Sequence, residues 1–321
     1  MLIPVEDQDA VDLLLDKDTD VHDHWYDWVS KKQVLVKAVV DVEDSQNVMD
    51  KLQDEFSSRE NFRLLLFEIK ATYPNIEEEE PEEEKENKKS GISREELYAS
   101  ICDQTKFTRY YVLLITISSM VAAFGVLRND VAVIIGAMVI APLFGPNIAL
   151  SLATTLADYG LAKKAMKANL FGIIIAFLLA VMIGLVLEVD PEIPQIAARS
   201  TLSLGDIVLA LAAGIAGAIA FTRSLLEPLI GVMVALALLP ALVTSGLLLG
   251  SGHIYISASA FSLFLVNLIG INLAGVATFV AQGIKPREWW DADRAKRASH
   301  QAITIWVILL IVLALVIVYT Q

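Results

Sequence analysis

Residues 131–153, VAVIIGAMVIAPLFGPNIALSLA, form an apolar segment that is long enough to span a bilayer but is interrupted in its middle. A spanning helix needs about 20 apolar residues. Pro142, Gly145 and Pro146 fall roughly halfway along the segment, and proline both removes a backbone donor and clashes with the preceding turn. Irregular backbone at that depth is tolerated only inside protein or beside a wet cavity. The segment therefore predicts either a broken helix at a functional site or a kink that serves packing.

A second copy of this segment follows 95 residues later. The copy at 229–250, LIGVMVALALLPALVTSGLLLG, also carries a proline in its middle, Pro240. A charged residue, a Gly-x-Met-Val core and a central proline that recur together indicate an internal repeat rather than shared composition. Six identities relate the two copies: Arg128, Ile135, Gly136, Met138, Val139 and Leu143 match Arg223, Ile230, Gly231, Met233, Val234 and Leu238.

Six further apolar runs accompany the opening segment, which predicts an α-helical multi-pass membrane protein with seven transmembrane helices. The shift of 95 residues carries span 1 onto span 4 and span 2 onto span 5, and span 3 onto span 6 follows from the order. Repeat A would cover 110–187 and repeat B 204–281, within a membrane domain of 110–321. The spans, numbered in chain order, are 110–127, 131–153, 169–187, 204–222, 229–249, 257–281 and 302–320.

Three spans in each repeat is an odd number, so repeat B would enter the membrane from the face opposite to repeat A. This predicts an inverted repeat plus one extra span, 302–320, with the two broken helices meeting near the membrane midplane. Several transporter families build a central substrate site with two alternative exits in this way.

The distribution of basic residues predicts the orientation. With the N-terminal region in the cytoplasm, the inner segments carry eleven Lys or Arg and the outer loops carry two, Arg128 and Arg199. Inner loops carry the excess of positive charge in membrane proteins. We therefore expect a cell-membrane protein with a cytoplasmic N-terminal domain and a C-terminus outside. The eleven inner residues are Lys106, Arg109, Lys163, Lys164, Lys167, Arg223, Lys285, Arg287, Arg294, Lys296 and Arg297.

The N-terminal region differs sharply from the rest in charge. Residues 1–105 contain 28 Asp/Glu and 12 Lys/Arg, whereas residues 106–321 contain 10 and 13. Such an acidic head should repel nucleic acid and anionic lipid surfaces. Within residues 1–75, predicted strands at 1–5, 21–29, 33–42 and 62–71 alternate with helices at 6–16 and, opened by Asp44 or Ser45, within 41–58. The order βαββαβ predicts a ferredoxin-like α+β soluble domain.

Two short segments connect this domain to the spans. Residues 76–92 begin with the charge run IEEEEPEEEKENKKS, which has no apolar periodicity and predicts a disordered acidic linker. Ser93 and Glu96 have the spacing of a capping box. They would start an amphipathic helix over 93–109 that lies along the membrane surface before span 1.

The histidines of the head form a weak candidate metal site. His22 and His24 lie two residues apart among aspartates, and imidazole with carboxylate could bind a divalent metal. No third or fourth ligand follows at recognisable spacing, and an exposed acidic strand explains the same pattern. We predict no cofactor.

The spans contain neutral polar residues and no central carboxylate, which disfavours a proton pump. Asn147 follows Pro146 at the predicted start of a half-helix, where free N–H groups favour an anion or a carbonyl. Asn267 and Asn272 would either add side-chain donors or bond to neighbouring helices. The full set is Ser118, Ser119, Asn147, Thr154, Thr155, Thr244, Ser245, Asn267 and Asn272.

Four motifs resemble a known family: Gly-Ala-Met-x-x-Ala-Pro-Leu-x-Gly-Pro at 136–146, Gly-x-x-x-Ala-x-x-Leu-x-Pro at 231–240, Asn-x-x-x-x-Asn-Leu-Ala at 267–274 and Gly-x-x-Pro-Arg-x-Trp at 283–289. The family consists of archaeal and bacterial multi-pass membrane proteins that share a hydrophobic domain of unknown function. The resemblance covers roughly residues 90–300 and implies an architecture without an activity. Members often have two adjacent prolines in the second break, whereas Ala241 follows Pro240 here, which implies a milder kink.

Two functions compete at this point. The first is a transporter or channel for a small polar or anionic solute, whose pathway would be lined by Gly136, Met138, Pro142, Gly145, Pro146, Asn147, Gly231, Met233, Pro240, Asn267 and Asn272. The second is a membrane-anchored sensor whose head binds a ligand or a partner. We do not expect an enzyme, because the sequence lacks G-x-S-x-G, H-E-x-x-H and P-loop motifs.

Small residues recur every four positions in span 4. Ala210, Gly214 and Ala218 predict close packing of this span against another span or against another subunit in a homo-oligomer.

Overall fold

The computed structural model describes residues 1–15, 21–30, 33–40, 44–57, 59, 62–67, 94–223, 227–285 and 289–320; the side chains of 94–95, 227–237, 289–295, 313 and 316–320 are outside this description. The chain divides into two compact units, residues 1–96 and residues 97–321. The predicted linker over 76–92 and the capping residue Ser93 lie outside the described residues.

The N-terminal unit is a small region of strands and helices. Strands β1 (Leu2–Pro4), β2 (Val21–Ser30) and β3 (Gln33–Val40) form an antiparallel sheet in the order β1-β3-β2. Helix α1 (Gln8–Leu15) follows β1, and helix α2 (Ser45–Phe56) follows β3. The predicted last strand, 62–71, is represented among its described residues by a single antiparallel bridge between Leu2 and Arg63.

The core of this unit joins the sheet to both helices. Ile3 and Val36 of the sheet pack with Val11 of α1 and with Leu52 and Phe56 of α2, all at most 5% exposed. Alternate residues of a strand point to one face, and the helices contribute residues at helical spacing. Among the described residues that follow α2, Phe62 and Leu64 pack against this core, whereas Leu65 and Phe67 are exposed.

The second unit is helical. It contains α3 (Arg94–Asp103), α4 (Arg109–Leu127), α5 (Val131–Ile140), α6 (Phe144–Leu156), α7 (Tyr159–Val186), α8 (Pro194–Ser200), α9 (Leu204–Thr222), α10 (Glu227–Gly250), α11 (Ile254–Ala281) and α12 (Trp289–Thr320). Among the described residues, α4, α7, α9 and α11 are long and apolar enough to cross a membrane, and the bent pair α5 and α6 makes a fifth candidate if it counts as one span. Residues Leu238–Gly250 of α10 form a shorter apolar helix. These helices indicate a membrane protein.

Two expectations about these helices need correction. The pre-membrane helix ends at Asp103 rather than at 109, because residues 104–108 leave the helix and Thr108 caps α4 by accepting from the N–H of Tyr111. The helix of span 5 is continuous from Glu227 to Gly250 with Pro240 inside it, so only the first of the two predicted breaks is present. A single proline within a spanning helix is tolerated where neighbouring helices support the freed backbone groups.

Small residues bring the helices of the second unit together. A Cβ added to Gly214 of α9 would lie 2.7 Å from the Cβ of Ala274 in α11, and one added to Gly270 would lie 2.6 Å from the Cβ of Ala210. Only small side chains at such positions let two backbones approach so closely. The predicted stripe on span 4 therefore packs against α11 of the same chain.

Candidate functional site

The break in span 2 is the centre of the candidate site. Helix α5 ends at Ile140 and α6 begins at Phe144, and the two axes differ by 50°. Ala141 has an extended backbone, with φ −71° and ψ 119°, as is usual before a proline. Pro142 cannot donate a helical hydrogen bond. Helix α5 therefore ends just before it, at the position where the sequence predicts the break.

Asn147, in the first turns of α6, joins three helices through its side chain. Its Nδ2 donates to the carbonyl of Leu143 at 2.8 Å and to Oδ1 of Asn169 in α7 at 3.1 Å. Its Oδ1 accepts from Nδ2 of Asn169 at 3.2 Å and from Nδ2 of Asn272 in α11 at 3.0 Å. All three residues are at most 5% exposed. We call this set, Asn147, Asn169 and Asn272, the amide cluster.

The hydrogen-bonding capacity of Asn147 is fully used by protein groups. An amide side chain has two N–H donors and an oxygen with two lone pairs, and the four bonds of Asn147 occupy all of them. The sequence predicts that Asn147 lies where free N–H groups at the start of a half-helix favour an anion or a carbonyl. In this conformation the acceptors are instead Leu143 and Asn169, so a solute would have to compete with them.

Hydroxyl groups extend the amide cluster along α6. Ser151 donates to the backbone carbonyl of Asn272 at 3.3 Å and to that of Asn147 at 3.2 Å. Thr155, one turn further, donates to the carbonyl of Ser151 at 2.9 Å. Both hydroxyls are buried. The polar face of α6 therefore extends over two turns, and its first two members, Asn147 and Ser151, bond to Asn272 of α11.

The amide cluster lies nearer to the middle of the long helices than to their ends. Asn169 is ten residues from the start of α7 at Tyr159, and Asn272 is nine residues from the end of α11 at Ala281, in helices of 28 residues each. At 1.5 Å per residue the two asparagines lie about 5 Å and about 7 Å from the midpoints of their helices. Lys167 is two positions from Asn169, so the cluster is displaced from the midpoint of α7 toward its lysine-bearing part. A site at the membrane midplane stays a prediction.

The other predicted residues of span 2 fall in different surroundings. Gly136 is exposed and Met138 is fully buried. A Cβ added to Gly145 would lie 2.5 Å from the side chain of Gln104. Pro146 is the third residue of α6, where its missing N–H would have had no helical partner in any case. Pro142, rather than Pro146, therefore accounts for the break.

The residues predicted from span 5 and span 6 are only partly joined to this site. Gly231 and Met233 lie outside the residues whose side chains are described. Pro240 lies inside α10, and Asn267 is buried in α11, five positions before Asn272. Of this group the structure brings Asn272 to the break.

Arg128 and Arg223 occupy matching positions at helix ends. Arg128 is the C-cap of α4 with φ −87° and ψ 0°, and Arg223 is the C-cap of α9 with φ −107° and ψ 5°. The N–H of each residue reaches the carbonyls two and four positions earlier. The two anchors thus share one local geometry.

Sequence reasoning missed Asn169 and Ser151. Asn169 begins the apolar run of span 3, and an asparagine in such a run needs a partner once it is buried. The identity of its partner depends on how α6 and α7 pack, which the sequence does not display.

Three further polar features lie away from the amide cluster. Ser245 of α10 and Ser257 of α11 donate to each other's backbone carbonyls at 3.0 and 2.8 Å. Thr244 is fully buried, and its hydroxyl has no hydrogen-bond partner among the described residues. Outside the spans, Tyr98 of α3 donates to Oδ2 of Asp158 at 2.6 Å, and Asp158 caps α7 by accepting from the N–H of Leu161 at 3.0 Å.

The histidines of the head are engaged by neighbouring side chains. Nε2 of His24 lies 3.2 Å from Oδ1 of Asp12, which also accepts from the hydroxyl of Tyr26. His22 is exposed. Within the ranges that the structure describes, no group of three His, Cys, Asp or Glu side chains is arranged to hold a metal ion.

Comparison with known proteins places these features in a wider group. The family model described as "Domain of unknown function (DUF389)" matches residues 138–273, which include the break and the amide cluster. An uncharacterized protein of Methanocaldococcus jannaschii, MJ0678, is 40% identical over 284 residues, covering 88% of this chain and 87% of that protein. No solved structure matches the chain significantly.

Proposed function

This chain belongs to the DUF389 family, and we propose that it is a transporter or channel for a small polar or anionic solute, built from an inverted repeat of three spans plus one. The soluble head, ferredoxin-like in its order of elements, would lie in the cytoplasm and the C-terminus outside. The observation that carries the proposal is a correspondence of 95 residues between the helices of the two halves.

Helix boundaries repeat at the interval found in the sequence. Helix α4 begins at Arg109 and ends at Leu127, and α9 begins at Leu204 and ends at Thr222. Helix α7 covers Tyr159–Val186, and α11 covers Ile254–Ala281. All four pairs of ends differ by 95 residues. Thr108 and Ser203, which precede α4 and α9 as N-caps, also differ by 95.

Contacts between the halves repeat in the same way. A Cβ added to Gly275 of α11 would lie 2.9 Å from the Cβ of Ser151 in α6, and one added to Gly246 of α10 would lie 2.6 Å from the Cβ of Ala180 in α7. Adding 95 to 151 gives 246, and subtracting 95 from 275 gives 180. The contact of residue 151 in repeat A with residue 275 in repeat B therefore has a counterpart in which the repeats exchange roles, residue 246 in repeat B with residue 180 in repeat A. A two-fold relation between the halves requires such pairs. This supports the inverted repeat, since each repeat has three spans.

The amide cluster lies at the boundary between the two repeats, which would move relative to each other in a transport cycle. Asn147 and Asn169 belong to repeat A and Asn272 to repeat B, so the Asn147–Asn272 bond crosses between the halves. Rocking of one repeat against the other is how inverted-repeat transporters expose a site alternately. Movement of the halves would break the bond between Asn147 and Asn272 first and would free one lone pair of Asn147 together with one N–H donor of Asn272, whose other donor bonds to Leu268 in its own helix. We propose that the solute uses groups released in this way.

Disulfide locking tests the proposal directly. In a Cys102→Ser background, the pair Ser151→Cys/Gly275→Cys would join repeat A to repeat B, whereas Ala210→Cys/Gly270→Cys would join two helices within repeat B. Both pairs are closer than the usual Cβ separation of about 3.8 Å, so both need a similar small adjustment. Flux would be followed by light scattering of vesicles in chloride, nitrate, phosphate, acetate, glycerol and urea.

If the halves move, oxidation should stop flux through the variant with cysteines at 151 and 275, and a reductant should restore it. The variant with cysteines at 210 and 270 should keep its flux within about twofold when it is oxidised. Equal flux in the oxidised and reduced forms of the cross-repeat pair would contradict movement of the halves. Absence of flux for every probe in the unsubstituted protein would favour the second function, a membrane-anchored sensor.

One contact favours that second candidate. Tyr98 lies in α3, the helix that precedes the first span, and its hydrogen bond to Asp158 reaches the corner between α6 and α7. A signal that moved α3 would therefore act on the helix that carries Asn147. Replacing Tyr98 with phenylalanine should uncouple such a signal without altering the spans.

A further inference from the structure

One exposed face of α7 changes its character within a single turn. Tyr159, Lys163 and Lys167 are spaced by four residues and are exposed, and Lys164 beside them is exposed as well. From Leu170 onward the exposed side chains are apolar. Residues four apart share a helix face, so this face passes from basic to apolar at Lys167. Such a change marks the level at which a membrane's headgroups meet its hydrocarbon. The exposed apolar residues are Leu170, Phe171, Ile174, Leu178, Met182, Leu185 and Val186.

The start of α4 contributes to the same level. The ring of Phe107 lies 5.2 Å from the ring of Phe171 and 5.7 Å from that of Tyr111. The hydroxyl of Tyr111 donates to the carbonyl of Ala168 at 2.9 Å, which fixes α4 beside α7 next to Lys167. Phe107 and Tyr110 are exposed, at 42% and 77%. Aromatic side chains with one apolar and one wet end favour the headgroup region.

Positive charge dominates this edge. The starts of α4 and α7 bring Lys106, Arg109, Lys163, Lys164 and Lys167 to it, all exposed. The acidic groups near them are already engaged: Asp103 pairs with Lys106 at 2.7 Å, and Asp158 caps α7 and accepts from Tyr98. Lys164 also lies near Asp158, whereas Lys163 and Lys167 of α7 and Arg109 of α4 are placed to face an external anion.

We propose that this edge, which we call the basic rim and define as Arg109, Lys163, Lys164 and Lys167 with Phe107 and Tyr110, binds the headgroups of anionic phospholipids. The lysines supply charge complementary to phosphate, the exposed aromatic rings supply the interfacial contact, and the apolar face beyond Leu170 accommodates the acyl chains. A free phosphate would use only the first of these three features. The proposal does not depend on transport.

Native mass spectrometry of the full chain in detergent tests the basic rim with phosphatidylglycerol and phosphatidylcholine as probes. The variant Lys163→Gln/Lys167→Gln removes two charges from the rim. Lys285→Gln/Lys296→Gln is the matched control, because both of its lysines are exposed elsewhere in the second unit. Lys163→Arg/Lys167→Arg keeps the charge and checks folding. Each basic residue near an anionic surface strengthens binding about fivefold, so the double rim variant should lose about 25-fold in phosphatidylglycerol affinity.

The control and the arginine variant should bind phosphatidylglycerol as the unsubstituted protein does, and phosphatidylcholine should bind more weakly to all four. In thermal melting, 10 mM inorganic phosphate should stabilise the unsubstituted protein no more than it stabilises the rim variant. Equal phosphatidylglycerol binding by the rim variant and the control would overturn the proposal. Stabilisation by phosphate that requires Lys163 and Lys167 would also overturn it, in favour of a site for a free anion.

Discussion

Nδ2 of Asn272 donates a hydrogen bond of 3.0 Å to Oδ1 of Asn147, so that one buried bond joins two residues separated by 125 positions. Asn147 lies just beyond the break of span 2, and Asn272 lies in the long helix of span 6. The bond therefore holds the irregular backbone of one half of the membrane unit against the other half.

Replacing Asn147 with alanine should destabilise the protein. It would leave the amide groups of Asn169 and Asn272 and the carbonyl of Leu143 without their present partners. Interhelical hydrogen bonds inside membranes are worth about 0.6 kcal/mol each and at most about 1.7 kcal/mol, so we expect a loss of about 1 to 3 kcal/mol, measured by thermal unfolding in detergent. Ser262→Ala is the control, since that hydroxyl bonds within its own helix to Ala258. An unchanged melting temperature for Asn147→Ala would show that the cluster adds nothing to stability.

The two prolines of the break should differ in importance. Pro142 ends α5, whereas Pro146 occupies the first turn of α6. Pro142→Ala would allow the helix to continue across the break, and we expect flux to fall at least tenfold in reconstituted vesicles. Pro146→Ala should leave flux within about twofold, because its N–H position has no helical acceptor. Full flux in Pro142→Ala would mean that the break serves packing alone.

Acid should weaken the contact between Tyr98 and Asp158. Burial alone would raise the pKa of Asp158, but hydrogen bonds from Tyr98 and from the N–H groups of Leu161 and Gly160, with Lys164 nearby, bring that pKa below its ordinary value. A lowered carboxyl pKa gives stability that is present above the ordinary value of about 3.9 and is lost as pH falls through the lowered pKa. The melting temperatures of the unsubstituted protein and of Tyr98→Phe should therefore differ at pH 6 and converge below about pH 4. A constant difference from pH 3 to pH 7 would contradict this assignment.

Cysteine labelling should reveal the predicted orientation. In a Cys102→Ser background, Asp190→Cys and Ser251→Cys should react with an impermeant maleimide added to intact cells. Lys163→Cys and Lys285→Cys should react only after the cells are opened, because the excess of basic residues places their segments inside. Labelling of position 251 and position 285 on the same side would mean that α11 does not cross the membrane, and the inverted repeat would then fail.

The head should fold alone and gain stability from salt. Residues 1–75 contain 17 Asp/Glu and 8 Lys/Arg, so repulsion among carboxylates should weaken as salt screens it. We expect this fragment to melt cooperatively and at a higher temperature in 1 M than in 0.05 M NaCl. Glu55→Gln removes one exposed charge and should reduce the gain slightly. A melting temperature that does not respond to salt would rule out self-repulsion as a significant cost.

Several features were predictable because they depend on local sequence. The run of apolar residues over 131–153 identified a span, and Pro142 identified its break, since proline acts on the turn that precedes it. The small residues Ala210 and Gly214 predicted a close helix contact, because small side chains four residues apart let two helices approach each other. The strands and helices of the N-terminal unit follow from alternation and helical spacing, although the described part of the last predicted strand, residues 62–67, shows only the bridge at Arg63.

Other features were decided by tertiary packing. Pro240 resembles Pro142 in sequence, yet α10 continues through it, because the effect of one proline depends on the neighbours that support the helix. Gly136 lies on the exposed side of α5 although its motif is part of the break. The rotation of each helix about its axis decides such positions, and that rotation is set by contacts with other helices.

The sequence by itself determined that the chain has an acidic N-terminal region, apolar helices and matching residues at an interval of 95, because composition and spacing are properties of the chain alone. Only the tertiary structure decided that Asn147 is saturated by Asn169 and Asn272 instead of being open to a solute. An amide bonds to whatever lies within about 3 Å, and which residues from distant helices reach that distance depends on the height and rotation at which the helices pack.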